Sequence, residues 1–327
     1  LGEAGFVALF SAPGGPVGRR LLVPNGDDAA AWRFAADQAS VITTDTLVEG
    51  VHFDLAYTPP RAVGRKLIAV NVSDVAAMGA RPRYALLALS VSPSMPVAIM
   101  SAIAEGVREA CREQGIAVIG GNTTRTTGPM VLTATVIGRA RPERLVRREG
   151  ARPGDALFVT GTLGDAAAGL TMALAGELPA ADDALAPLFS ALVDPVPRVE
   201  AGRRLGRSGC VRAMCDVSDG LGRDLRNLLA PSGLGARLDA EAVPLSPALR
   251  AFAASRSMEP LRLALRGGED YELLLAAAPE DAATIARVCA LARTPVTCIG
   301  EVTEDPAIAV MGRDGSVMPL PSGFAHF

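Results

Sequence analysis

Lysine is almost missing from this chain: Lys66 is the only one in 327 residues, and the remaining basic charge is arginine, as a biased genome composition would give. No G-x-x-x-x-G-K-[ST] occurs, which excludes a phosphate-cradling P-loop. Histidine is nearly as scarce, with His52 and His326 alone, so a zinc-hydrolase cluster built on several imidazoles does not fit. The five cysteines, at 111, 210, 215, 289 and 298, are odd in number and contain no C-x-x-C pair. That pattern suits reduced, partly buried thiols better than a disulfide frame. Apolar runs stay below the roughly 18 residues of a membrane span, and no basic-then-apolar leader follows Leu1. A cytoplasmic location is expected, without membrane partners. The formal net charge of −3 gives no general attraction to nucleic acid.

What the chain does have is apolar bulk. With 49% hydrophobic residues it can bury a large core, and its length implies two domains. The arginine-dense stretch from Arg139 to Asp155 is the best boundary, dividing the chain into 1–140 and 141–327. Apolar periodicity predicts a strand over 37–45 and helices over 61–79 and 96–114. Strands are expected over 84–92, 116–119 (buried) and 130–138. The second half opens with a strand over 156–160 and a helix from 165 to 176, followed by an exposed, irregular stretch over 177–197. It closes with strands over 273–277, 296–300 and 307–311 around a helix at 279–292.

Short polar motifs punctuate these elements. Asp27 and Asp28 follow Gly26, and adjacent carboxylates repel one another unless a cation or a solvated turn separates their charge. Thr43, Thr44 and Asp45 stand where the first strand should end, a favoured position for sites in α/β proteins. Asn71 and Asp74 share a face of an otherwise apolar helix, where an unpaired carboxylate is costly to bury, so a partner or a metal is expected. Gly120-Gly121-Asn122-Thr123 reads as a turn open to a phosphate. Asp216, Ser218 and Asp219 occupy a strand-to-helix junction, where a helix cap is the alternative role for Asp219. Gly267-Gly268-Glu269-Asp270-Tyr271 forms a turn with an acidic tip. Together these groups point to hard cations and phosphate.

In this order, the motifs resemble those of the thiamine-monophosphate kinases, in the superfamily that also holds aminoimidazole ribonucleotide synthetase. The match runs through Gly26-Asp27-Asp28, Thr43 to Val48, His52-Phe53, Asn71 to Ala80, Val217 to Leu221 and Gly267 to Leu273. The resemblance implies an α/β (α+β) fold of two domains, each a mixed sheet covered by helices, with homodimerisation through the N-terminal sheets. It implies ATP-dependent phosphorylation of thiamine monophosphate to thiamine diphosphate by direct in-line transfer, with several Mg²⁺ ions. Such a transfer needs positioning and charge neutralisation more than a protein nucleophile. By the same resemblance Asp28, Thr43, Thr44, Asp45, Asp74, Asn122, Asp216 and Asp219 are metal ligands, with Asp45, Asp74 and Asp219 at the catalytic centre. Gly121, Asn122, Arg148 and Ser218 are ATP contacts, and His52, Glu269 and Phe324 are contacts to the thiamine phosphate.

Two positions depart from the family pattern. Asn122 stands where an aspartate is usual, replacing an anionic ligand by a neutral amide whose oxygen can still coordinate Mg²⁺, with weaker affinity at one metal or a site completed by water expected. Phe324 stands where a tyrosine is usual, which keeps ring stacking and loses the hydroxyl. Two other readings stay open: another ATP-using enzyme of the superfamily, although the reactive N-terminal cysteine common in such members is missing, and a catalytically weak nucleotide-binding regulator, suggested by Asn122.

Overall fold

The computed structural model describes residues 21–23 and 27–320; Phe324 lies outside them. The first half comprises β1 (Leu21–Val23), β2 (Ala30–Ala35), β3 (Gln38–Val48), α1 (Pro60–Ala77), β4 (Arg81–Val91), α2 (Val97–Gln114), β5 (Ala117–Arg125) and β6 (Val131–Ala140). These strands form one six-stranded sheet in the order β1-β2-β3-β6-β4-β5. All its pairs are antiparallel except β4 with β5, whose connection passes through α2.

The second half comprises β7 (Ala156–Thr160), α3 (Asp165–Leu174), α4 (Ala186–Val193), α5 (Val199–Ser208), β8 (Val211–Val217), α6 (Leu221–Leu229) and β9 (Gly235–Asp239). It continues with α7 (Pro247–Ser255), α8 (Pro260–Arg266), β10 (Glu272–Ala277), α9 (Ala282–Leu291), β11 (Val296–Thr303), β12 (Ile308–Met311) and β13 (Val317–Pro319). Its seven strands pair in the order β13-β12-β9-β11-β7-β10-β8. β10 lies in the middle of strong antiparallel pairing and is buried along its whole length, which is why Glu272 to Ala277 reads as a continuous apolar run after its first residue.

α1 is the element on which both halves converge. It packs on the first sheet and α2, and its far side meets α5 and β8 of the second half. Being covered on nearly every side, it carries Val63, Leu67, Ile68, Val70, Val72 and Val75 without a polar stripe. Its crossing with α2 is close enough that only glycine fits: a Cβ on Gly64 would lie 2.0 Å from the Ile103 carbonyl oxygen, and one on Gly106 would lie 1.9 Å from that of Arg61.

Three expectations from the sequence change here. β3 runs on to Val48, so Thr43, Thr44 and Asp45 lie inside a strand and alternate between its faces instead of standing together at its end. The Gly120-Gly121-Asn122 segment is part of β5, an edge strand exposed at every residue, and is neither a turn nor the continuation of a buried strand. A Cβ on Gly121 would lie 1.9 Å from the Leu87 carbonyl oxygen, so strand pairing alone already demands a glycine there. The stretch 177–197 holds α4, whose Leu188 and Leu192 are buried against neighbouring helices; alanine and proline richness concealed that apolar pair.

Replacing Gly106 with alanine should force α1 and α2 apart and cost about 1–3 kcal/mol of stability. The expected signature is a lower denaturant midpoint at unchanged slope; an unaltered midpoint would show that the helix contact is slack.

Candidate active site

Lys66, Asn71, Ser73 and Asp74 of α1 are buried or half-buried, and each is bonded to a residue of a motif, whereas Arg61 and Arg65 pair outside the motifs with Glu109, Glu113 and Asp194. Asp74 Oδ2 accepts the Thr43 hydroxyl at 2.5 Å, the Asn71 side-chain oxygen accepts the Asp45 amide at 3.0 Å, and the Ser73 hydroxyl donates to Asp216 Oδ2 at 2.6 Å. One turn further back, the Lys66 ammonium lies 2.8 Å from Glu269 Oε1 and donates to the His52 carbonyl at 3.0 Å. A single helix thereby fixes β3, the end of β8 and the loop that precedes β10.

Oxygen atoms of Asp28, Asp74 and Asp216 approach within 4.8 Å of one another. Like charges this close, withdrawn from water, cannot all stay ionised without a counter-charge. Burial first, and then the charges of Asp216, Asp45 and Asp28, hold the Asp74 carboxyl well above the usual carboxylate range. Asp216 is pushed up to about 8 by burial and by Asp28, and Asp27 to about 6 by burial and by the same neighbour. Asp45 is raised by burial, with Asp219 adding to it and a hydrogen bond to Asp74 opposing it.

Arg148 supplies one positive charge, with its Nη2 2.7 Å from Asp28 Oδ1 and its amide donating to Asp27 Oδ2 at 3.1 Å. This is incomplete compensation, because Asp28 Oδ2 and Arg148 Nε are buried without a hydrogen-bond partner. An all-oxygen donor set with an orphaned carboxylate oxygen fits a hard divalent cation such as Mg²⁺, and fits zinc poorly. Asp28, Asp74 and Asp216 could hold such an ion directly.

Asp74 and Asp216 of the acidic cluster line a cavity of about 1050 Å³ between the two halves. Asp45, Ser218, Asp219, His52 and Glu269 also line it. Leu170, Leu192 and Leu263 add apolar surface to the lining, and Arg262 and Arg266 are exposed residues of it. His52 is oriented from behind: its Nδ1 accepts the Val48 amide at 3.0 Å, which leaves Nε2 as the protonated nitrogen. Asp219 is oriented by the buried Asp224, whose carboxylate accepts its amide at 2.9 Å, and it lies 3.3 Å from Arg223.

The loop over 267–271 is clamped against the end of β8. The Glu269 amide donates to the Ser218 carbonyl at 2.7 Å and the Tyr271 amide to that of Val217 at 2.8 Å. Glu269 and Tyr271 take positive φ values of 69° and 50°, each a cost of ~1 kcal/mol or more for a side chain with a Cβ. Asp270, by contrast, is turned inward and accepts the Gly164 amide ahead of α3, so the acidic tip splits into one residue at the cavity and one in the framework.

The structure thus brings together Asp28, Thr43, Asp45, Asp74, Asp216, Ser218 and Asp219, with His52, Glu269 and Arg148 around them. It does not bring in the side chains of Thr44 and Asn122. Thr44 Oγ1 is on the opposite face of β3, donating to the Ala134 carbonyl and lying 3.0 Å from the Thr135 hydroxyl. Asn122 pairs across the sheet in the row of Ala88, Thr133 and Thr46, on that same opposite face, and β5 is three strands from β3. Strand spacing puts it about 14 Å away within one chain. Lys66, Asn71 and Ser73 are the supporting residues that motif reading underrated. The signal for Lys66 was present, a lone lysine between Val63 and Val70 on an apolar helix.

Both halves match family models in sequence order: AIR synthase related protein, N-terminal domain, over residues 26–140, and AIR synthase related protein, C-terminal domain, over 152–313. The fold and site therefore define a two-domain protein of the AIR synthase related class. Thiamine-monophosphate kinase of Escherichia coli K12 is 38% identical over 307 residues, covering 92% of this chain and 91% of that protein. The Bacillus subtilis enzyme of the same name is 33% identical over 305 residues, covering 92% of each. Among solved structures, AaThiL complexed with AMPPCP and TMP superposes with a TM-score of 0.87 at 33% identity, covering 100% of this chain and 97% of that one. Within the AIR synthase related class, this chain belongs to the thiamine-monophosphate kinase family.

The raised carboxyls carry a pH signature. Asp216 ionises near 3.8 when unfolded and at about 8 when folded, so between those values the folded chain holds the extra proton. Stability then falls as pH rises through that window. Mg²⁺ should reverse the trend by stabilising the ionised cluster, raising the melting temperature more at pH 8 than at pH 5. An equal shift at both would remove the cluster as the cation site.

Proposed function

We propose that this chain transfers the γ-phosphoryl group of ATP in line onto the phosphate of thiamine monophosphate, giving thiamine diphosphate and ADP. The observation that carries the reading is the buried carboxylate cluster beside a cavity whose lining also includes Leu170, Leu192 and Leu263. The acidic part of the lining suits metal-bound phosphates, and the apolar part suits an aromatic heterocycle. The relatives and the complex with an ATP analogue agree with this use.

In this reading residues 1–140 supply most of the cation and nucleotide site, and residues 141–327 complete the cleft. Asp28, Asp74 and Asp216 would hold Mg²⁺, with Thr43, Asp45 and Asp219 at its border. Bound there, the ions would neutralise the two phosphate groups and polarise the transferring one. The protein positions and desolvates the reactants: Ser218 and Arg148 face the nucleotide, and His52 donates from Nε2 to the acceptor phosphate. Glu269 contacts the thiamine moiety. No protein nucleophile is needed, because the acceptor phosphate oxygen attacks directly and ADP departs.

The chain also works as a homodimer in this account. The exposed β5 edge, with Val118 and Ile119 in the open, and the helix-free face bearing Thr44, Thr46, Thr133 and Thr135 form the contact. Gly121 and Asn122 then meet the nucleotide only within that dimer, and Thr44 completes the same side. Among the described residues no helix is long and apolar enough to cross a membrane.

Incubation with ATP, Mg²⁺ and thiamine monophosphate should yield thiamine diphosphate, and Asp45→Asn should lower turnover more than about tenfold. ATP binding without product would instead favour a nucleotide-binding regulator. Sedimentation should give a dimer that Ile119→Asp shifts towards monomer; a monomeric wild-type chain would refute the assembly.

A further inference from the structure

Lys66 is 1% exposed, and its ammonium bridges two parts of the chain that are far apart in sequence. It lies 2.8 Å from Glu269 Oε1 in the second half and 3.0 Å from the His52 carbonyl oxygen in the first. His52 and Glu269 both line the cavity, whereas Lys66 stands behind them and is not among its lining residues. A buried ammonium is tolerated only with such partners, since desolvation otherwise favours its neutral form.

Both partners lie on backbone outside regular strands and helices. Glu269 sits in a left-handed conformation, φ 69°, that its own side chain disfavours. Its amide donates to the Ser218 carbonyl. His52 follows β3 in a turn, where its amide and that of Val51 both donate to the Val48 carbonyl. The carboxylate cluster is secured separately by Asn71, Ser73 and Asp74 of the same helix. α1 therefore carries two distinct supports, one for each side of the cavity.

We propose that Lys66 is a positioning residue for the acceptor side alone: it sets the spacing between His52 and Glu269 without touching either substrate. The proposal rests on the reading of this side as the thiamine phosphate site. It differs from a general structural role because a loosened Lys66 contact leaves the cation and nucleotide side intact. Only the acceptor then meets a misplaced donor and a displaced carboxylate.

The test compares Lys66→Met, Lys66→Arg and Glu269→Gln with the wild-type chain. Lys66→Met should raise the KM for thiamine monophosphate by on the order of tenfold or more, while calorimetric affinity for a Mg²⁺·ATP analogue stays within about twofold. Lys66→Arg, which keeps the charge, should recover part of the loss. In a Glu269→Gln background the Met substitution should add less than it does alone. Amide exchange at Glu269 and Tyr271 should quicken in Lys66→Met, a readout that needs no substrate. An unchanged acceptor KM, a parallel fall in nucleotide affinity or full additivity with Glu269→Gln would overturn the proposal. Should Lys66→Met not fold, Lys66→Gln keeps a donor for the His52 carbonyl and is read in the same way. If wild-type protein binds no thiamine monophosphate, the functional reading fails; if it binds and only the Lys66 variants behave as wild type, the positioning role fails.

Discussion

The mutual repulsion of buried carboxylates governs this structure. Asp28, Asp74 and Asp216 come within 4.8 Å of each other around a cavity wall that Asp45 and Asp219 extend. Left alone, such a group would protonate or spread apart, and the first tendency is expressed in the raised Asp74 and Asp216 carboxyls. What prevents dispersal is the scaffold beneath. Thr43, Asn71 and Ser73 supply hydrogen bonds from β3 and α1, and Arg148 contributes a guanidinium that satisfies one oxygen of Asp28 and leaves the other orphaned. The fold stores an electrostatic demand that a divalent cation would meet.

α1 explains why two halves are needed for one site. Its apolar residues complete the core of the first sheet, and Lys66, Asn71, Ser73 and Asp74 bond to β3, the turn after it, β8 and the loop before β10. A helix carrying only the apolar pattern would pack equally well and organise nothing. Most of its polar side chains would be expensive in this environment if unpaired. That they are paired across both halves ties cavity geometry to the packing of the whole chain, so small losses at the α1 to α2 crossing propagate to the site.

Much of this was legible in the residues. The aspartates at 28, 45, 74, 216 and 219 were recognisable because carboxylates beside glycine, or on an apolar helix, have few structural excuses, and the ordered motifs gave the family. Facing was less legible. Thr43, Thr44 and Asp45 look like one cluster in a string, yet β3 runs through them, and strand alternation sends Thr44 to the open face. Gly121 and Asn122 look like a phosphate turn, yet they belong to an edge strand whose close approach to Leu87 demands the glycine. Lys66 was hidden for another reason: a lone lysine in an arginine-rich chain resembles a compositional accident until its partners, 14 and 203 positions away, are seen beside it.

The account stands on cation occupancy of the carboxylate cluster. Anomalous diffraction from crystals grown with Mn²⁺, an ATP analogue and thiamine monophosphate would locate the ions without reference to activity. The expected result is an anomalous peak at about 2.2 Å from oxygens of Asp28, Asp74 and Asp216, with Arg148 turned away from Asp28. Bound nucleotide with no peak among those three carboxylates would contradict it.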